Sequence, residues 1–236
     1  MRNILTLAYR ELRSYATGWM AYVVTAGFLF IGGFIFWAIL RYSQQAEMRW
    51  ALQNFAVILL FTVPLLTMRL LAEEKKTGTV ELLLTSPVTD LQIVLGKYLG
   101  AVGLLVAMLL LTFAMPLLLI HYNAPEFGPI WVGYLGLLLV GASFVAVGLL
   151  TSSLSDSQVV AGFLAFGILL GLWIIDWGVQ PGATGVVGAL RYLSITGHLY
   201  DMQKGVIDTK DVIYYLSFIF LFLFFTVRIV ESGKWK

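Results

Sequence analysis

Chemistry needs side chains that carry charge, protons or nucleophilic atoms, and one stretch of this sequence gathers eight of its charged residues: Arg69, Glu73, Glu74, Lys75, Lys76, Glu81, Asp90 and Lys97. Mixed charge at that density suits directional contact with a soluble partner, and it equally suits a solvated loop. Other candidates are few. The chain has no cysteine, which excludes disulfides, iron–sulfur clusters and thiolate zinc sites. Its two histidines, His121 and His198, leave little for a histidine-based metal site, and neither an HExxH motif nor a paired intramembrane aspartate occurs. Gly96-Lys97, just before an apolar run, is the pair that most invites a phosphate-binding loop. That loop requires glycine at position 91 and a hydroxyl residue at 98, where the sequence has Leu91 and Tyr98. No polar segment is long enough to hold a nucleotide-binding domain.

The elements that carry these residues follow from composition. Of 236 residues, 60% are apolar and 12% charged, with mean hydropathy +0.89. A soluble domain is nearer half apolar and a quarter charged. A chain of this length could not hide so much apolar surface from water, which excludes a soluble enzyme, a nucleic-acid-binding domain and a disordered chain. The net charge of +2 gives no reason to expect a polyanionic partner. Six charge-free runs stand between the charged clusters: Trp19–Leu40, Trp50–Met68, Tyr98–Ile120, Ile130–Leu154, Val159–Ile175 and Val212–Val227. About 20 apolar residues cross a bilayer as helix, and in lipid every backbone amide must be paired internally. Barrel strands would alternate polar and apolar residues, and these runs do not. The expectation is an all-α polytopic membrane protein. Residues 1–236 form a single transmembrane domain, with spans at about 19–40, 50–70, 95–120, 130–154, 159–176 and 212–230 and the lipid bilayer as solvent.

Six spans put both termini on one side. With the termini in the cytoplasm, the inside holds Arg2, Arg10, Arg13, Arg69, Lys75, Lys76, Lys97, Arg228, Lys234 and Lys236, and the outside holds Arg41, Arg49, Arg191, Lys204 and Lys210. That excess of basic residues favours this orientation over its inverse. The first apolar run is too long for a cleavable leader and has no small-residue cleavage pattern after it. Before it, residues 1–17 form an amphipathic pattern, with Ile4, Leu5, Ala8, Leu12 and Tyr15 on one helical face and Arg2, Asn3, Arg10 and Arg13 elsewhere. This reads as a helix on the cytoplasmic surface, or else as the basic flank of the first span.

The loop between spans two and three is built for structure. Gly78 interrupts its first helix. Ser86-Pro87 stops the short segment that follows, because a residue before proline avoids the helical region. Thr89-Asp-Leu-Gln92 is a capping box that starts a long helix running through Lys97 into span three.

Glu73-Glu-Lys-Lys-Thr-Gly-Thr-Val-Glu81, then Leu-Leu-Leu-Thr-Ser-Pro87 and Ile93-Val-Leu-Gly-Lys97, resembles the signature loop of type-2 (exporter-like) ABC transporter permeases. The branch it is most similar to holds the gliding-motility and copper-enzyme-maturation permeases. The resemblance takes in the six spans, the surface helix and the segment Gly205–Tyr215. It implies a permease subunit in a bacterial inner membrane, with a coupling helix between spans two and three that docks on a separate ATPase. By the same resemblance Glu73, Glu74, Lys75, Lys76, Thr77, Gly78, Thr79 and Glu81 would face that ATPase. Ser155 and Asp156, in the turn between spans four and five, would make a lesser contact or simply cap a hairpin. The chain itself would hold no cofactor; ATP and magnesium would sit on two ATPase subunits, and a second permease copy or a related permease would complete the path. The rival readings are a membrane scaffold that anchors a cytoplasmic machine, and an ion-coupled carrier, which the lack of an unpaired charge within the spans disfavours.

The remaining motifs concern packing. Gly141-Ala-Ser143 is similar to the serine motif of intramembrane rhomboid proteases, but no histidine falls within a span to activate Ser143. Gly96-x-x-x-Gly100 and Gly167-x-x-x-Gly171 permit close helix approach, and Pro64 and Pro116 can bend spans two and three. The segment 178–211 is expected to hold either re-entrant or interfacial helices that gate an exit, or an ordered external loop.

Overall fold

The computed structural model describes residues 2–43, 48–79, 88–122, 127–178 and 194–233. Among them the chain is all helix: α1 Arg2–Thr17, α2 Trp19–Ser43, α3 Arg49–Thr67, α4 Ala72–Lys76, α5 Asp90–Thr112, α6 Ala114–Tyr122, α7 Phe127–Leu154, α8 Gln158–Gly178, α9 Ile195–Gln203 and α10 Thr209–Gly233. Six helical stretches are long and apolar enough to cross a membrane. They match the six expected spans, with the helices running one to several residues beyond most of the charge-free runs. The second and fourth have 72% of their apolar windows buried, against 17–33% for the other four. α3 and α7 are therefore the centre, and the rest form a ring with one apolar side outward. α7 packs on α3, α5, α8, α9 and α10. Phe55, Leu59, Leu105, Leu137, Phe144 and Leu149 fill the middle without exposure beyond 1%.

Small residues set the close contacts. A Cβ on Gly141 would lie 2.6 Å from a methyl of Leu105, so α5 and α7 touch at a position where a side chain would force Leu105 to move. Ser143 is fully buried and donates to the Leu139 carbonyl of its own helix at 2.9 Å, as a packing residue does. Pro116 breaks span three. It has no N–H to give the Thr112 carbonyl, so α5 closes at Thr112 with a tighter bond from the Phe113 N–H to Leu110 at 3.1 Å.

The ends differ in character. One bears α1, α4, the turn 154–158 and the end of α10; call it the basal end. The other bears α9 between spans five and six, the described part of the segment expected to hold helices or a loop. α9 rests on α7 where Gly136 leaves room for Leu199 and Met202. It is tied to α10 by His198 Nδ1 against Asp211 Oδ1 at 2.7 Å and by the Tyr215 hydroxyl donating to the Ile195 carbonyl at 2.7 Å. Asp211 is thus a carboxylate buried at the start of a span, a charge that the six apolar runs did not reveal, since the helix begins before Val212.

Candidate functional site

The basal end assembles residues that lie far apart in sequence. Thr89 opens α5 with the expected capping box: its hydroxyl accepts from the Gln92 N–H, and Gln92 reaches back to the Thr89 N–H at 3.3 Å. This start fixes the register of the next two turns, which place Gly96, Lys97 and Gly100 toward α1. A Cβ on Gly96 would fall 2.5 Å from the Cβ of Leu7, and one on Gly100 would fall 2.6 Å from the Cβ of Glu11. The first glycine pair therefore receives the N-terminal helix. The second pair, Gly167 and Gly171, faces nothing within 4 Å among the described residues.

α1 is amphipathic, but its buried face is rotated from the expected one. Ile4, Leu7, Ala8, Glu11 and Tyr15 turn toward the bundle, while Leu5 and Leu12 are 66% and 37% exposed. Two glycines on α5 and a buried ion pair outweigh the burial of two leucines, which the amphipathic pattern alone would have favoured. Leu5, Tyr9 and Leu12 form a second apolar stripe open to the surroundings.

Glu11 is the polar member of the buried face, and its partner is Lys97. The Lys97 ammonium lies 3.3 Å from Glu11 and 2.9 Å from Glu74, with only 4% of its side chain exposed. Arg10 approaches the same Glu74 oxygen at 3.7 Å. Two cations and two anions thus balance at the junction of α1, α4 and α5. Nearby, Arg69 pairs with Glu73 at 3.1 Å and lies 5.9 Å from the ring centroid of Tyr15. Burial pushes the Tyr15 phenol well above its ordinary range, with Glu11 adding to the effect; the neutral hydroxyl donates to the Leu66 carbonyl at 2.9 Å.

The residues singled out from sequence separate into two sets. Glu74 faces inward to the ion cluster. Lys76, Thr77, Gly78 and Thr79 are exposed, and Glu73 and Lys75 are half-buried at the rim. Gly78 has φ +71°, a conformation that glycine adopts without strain, and it ends the helix where the sequence indicated. The Lys75 ammonium crosses to the turn 154–158, donating to the Ser153 carbonyl at 2.6 Å and lying 3.8 Å from Asp156. Asp156 is exposed and Ser155 half-buried; the Ser155 hydroxyl accepts from the Ser157 N–H at 3.1 Å. Lys76, Asp156, Ser157, Gln158 and Val159 border a cleft of about 410 Å³. Glu81 and Ser86-Pro87 lie outside the described residues.

The sequence marks Lys97 as a member of the mixed-charge stretch but does not pair it with Glu11. The signals were there: a lysine inside the glycine motif of an apolar helix, and a glutamate at the helical spacing of Ile4, Leu7, Ala8 and Tyr15. Their mutual distance depends on how α1 folds back on α5, and local pattern does not carry that. Chemically the basal end has exposed charges of both signs, backbone groups at a helix end and a cleft beside them. No cluster of three metal-ligating side chains occurs among the described residues.

A family model described as ABC-2 family transporter protein matches residues 38–197. Two Escherichia coli strains carry a relative named probable multidrug ABC transporter permease YbhR, 29% identical over 169 residues, an overlap of 70% of this chain and 45% of the relative. The chain spans about half the length of the curated relatives it matches.

Proposed function

The chain belongs to the ABC-2 transporter family, and from that premise we propose that it is the membrane-spanning permease subunit of an ABC exporter, driven by a separate ATPase that docks on the basal end. In this reading α4 is the coupling helix. Glu73, Lys75, Lys76, Thr77, Gly78, Thr79 and Glu81 meet the ATPase, with Ser155 and Asp156 beside them, while Glu74 holds the helix from within. The observation that carries the reading is the meeting of α4 and the turn 154–158 beside one open cleft at the basal end, with Lys75 reaching across to Asp156. Polar groups at a helix end make directional contacts, and a short helix tied into a packed bundle passes on a push rather than absorbing it.

The rest of the complex follows the family. The basal end and both termini face the cytoplasm of a bacterium, in agreement with the excess of arginine and lysine there. Two ATPase subunits carry ATP and magnesium, and a second permease copy or a related permease completes the substrate path. Residues 1–236 act as one transmembrane domain, with α1 on the membrane surface. The likeness of residues 73–97 to the gliding-motility and copper-enzyme-maturation branch belongs to the same reading and rests on that loop.

The test reverses exposed charges and leaves the inner cluster intact. K76E/D156K, expressed with an ABC ATPase that co-purifies with the parent chain, is expected to fold as the parent does and to lose co-purification of the ATPase. Unchanged co-purification from a folded variant rejects the docking site. Glu74 is unsuited to this test because its reversal would place a cation against Lys97.

A further inference from the structure

Span two does not run straight into α4. α3 ends at Thr67, and the backbone turns through residues 68–71 before α4 begins at Ala72. A break in a helix leaves carbonyls on one side and N–H groups on the other without partners. This break is buried: Leu70, Leu71 and Ala72 are at most 4% exposed. The Leu70 N–H turns back to the Thr67 carbonyl at 3.0 Å, and the Glu73 N–H returns to Arg69 at 3.3 Å. The two amides between them leave the helix. Those of Leu71 and Ala72 donate to the hydroxyl of Ser152 at 2.9 and 3.0 Å. The same hydroxyl donates to the Met68 carbonyl at 3.1 Å.

A serine hydroxyl has one proton and two lone pairs, and Ser152 uses all three across the break. A helix N-terminus is ordinarily capped by the residue before it. Here that residue is Leu71, which has no side chain to cap with, and another helix supplies the group. Ser152 lies at the end of α7 and is fully buried. Lys75 adds a second tie to the same place through the Ser153 carbonyl. α4 is thus held at its start and its middle by the segment that leads directly into the turn 154–158.

We propose that Ser152 is a positioning residue that fuses α4 and the turn 154–158 into one rigid platform, so that a push on either loop reaches spans two and four together. Its role in coupling rests on the docking reading above; the platform does not. Without the hydroxyl, α4 hinges about residues 68–71 and the two loops move separately.

Hydrogen exchange of the full chain in detergent tests this. In S152A the amides of residues 71–79 are expected to exchange about 10- to 100-fold faster, and residues 151–157 to accelerate with them. Amides of α5 and α10 keep wild-type rates, which separates local release from global unfolding. K75M cuts the second tie and is expected to accelerate the same two segments together, so the test stands if S152A fails to fold. Acceleration confined to residues 71–72, or none, overturns the proposal. Co-purification of the ATPase reports separately: accelerated exchange of both segments in S152A, with unchanged co-purification from the folded K76E/D156K variant, would sink the docking reading and leave the platform standing.

Discussion

Lys97 offers the sharpest test of how the basal end is held. Its ammonium sits 2.9 and 3.3 Å from two carboxylates with 4% of the side chain exposed. Lys97→Met keeps the length and apolar stem and removes the charge. What remains is Glu11 facing Glu74, both mostly buried, with Arg10 at 3.7 Å as the nearest cation to Glu74. Removing one partner of a buried pair costs about 3–5 kcal/mol, because the other charge loses its compensation. Glu11 and Glu74 keep 13% and 19% exposure and can recover some hydration, so about 3 kcal/mol is expected. For a chain of this size that is a fall in Tm of about 6–12 °C, at about 2–4 °C per kcal/mol. The triple variant E11Q/E74Q/K97M removes charge from all three sites and should recover most of the loss, since a neutral replacement of a buried ion cluster is often no less stable than the original. Thermal unfolding in one detergent, with the single, double and triple variants forming a cycle, measures the coupling directly. If K97M lowers Tm by less than about 2 °C, or if the triple variant is as unstable as the single, the charge balance does not hold the junction.

Two further expectations concern the same junction. Gly96→Ala should destabilise by about 1–3 kcal/mol through overpacking on Leu7, whereas Gly167→Ala, with open space around it, should leave Tm unchanged or raise it; equal effects would mean that the first glycine pair does not receive α1. Tyr15→Phe removes the bond to the Leu66 carbonyl and should cost about 1 kcal/mol. Because the folded state raises the phenol's proton affinity, that part of the stability is complete below about pH 10 and is lost as pH rises through the folded value. Unfolding measured from pH 8 to 11 should therefore show an alkaline decline in the parent that is smaller in the phenylalanine variant, and parallel declines would refute the burial argument.

Much of the fold is local and therefore legible. Uninterrupted apolar runs can be satisfied in lipid only as helices, so the six spans followed from composition and length. The Thr89–Gln92 box and Gly78 act through atoms within four residues of each other, and both appear where the sequence indicated. The buried face of α1 is the instructive miss. Amphipathic spacing allowed a face with Leu5 and Leu12 on it, and the structure chose one with Leu7 and Glu11, because Gly96 and Gly100 offer a seat that only a docked partner makes visible.

The candidate site divides along the same line. The exposed polar residues of α4 could be picked out by type and spacing. That Glu74 turns inward, that Lys97 is buried between helices, and that Ser152 closes the break in span two could not. By itself the sequence determined that this chain is a bundle of six apolar spans with one dense, helical, mixed-charge loop, because helix formation and apolar burial depend on neighbouring residues. Only the tertiary structure decided which of those charges point out and which lock the loop to α1 and α7. Ion pairs and shared hydrogen bonds form between residues about 80 positions apart, and whether such groups meet depends on how helices pack.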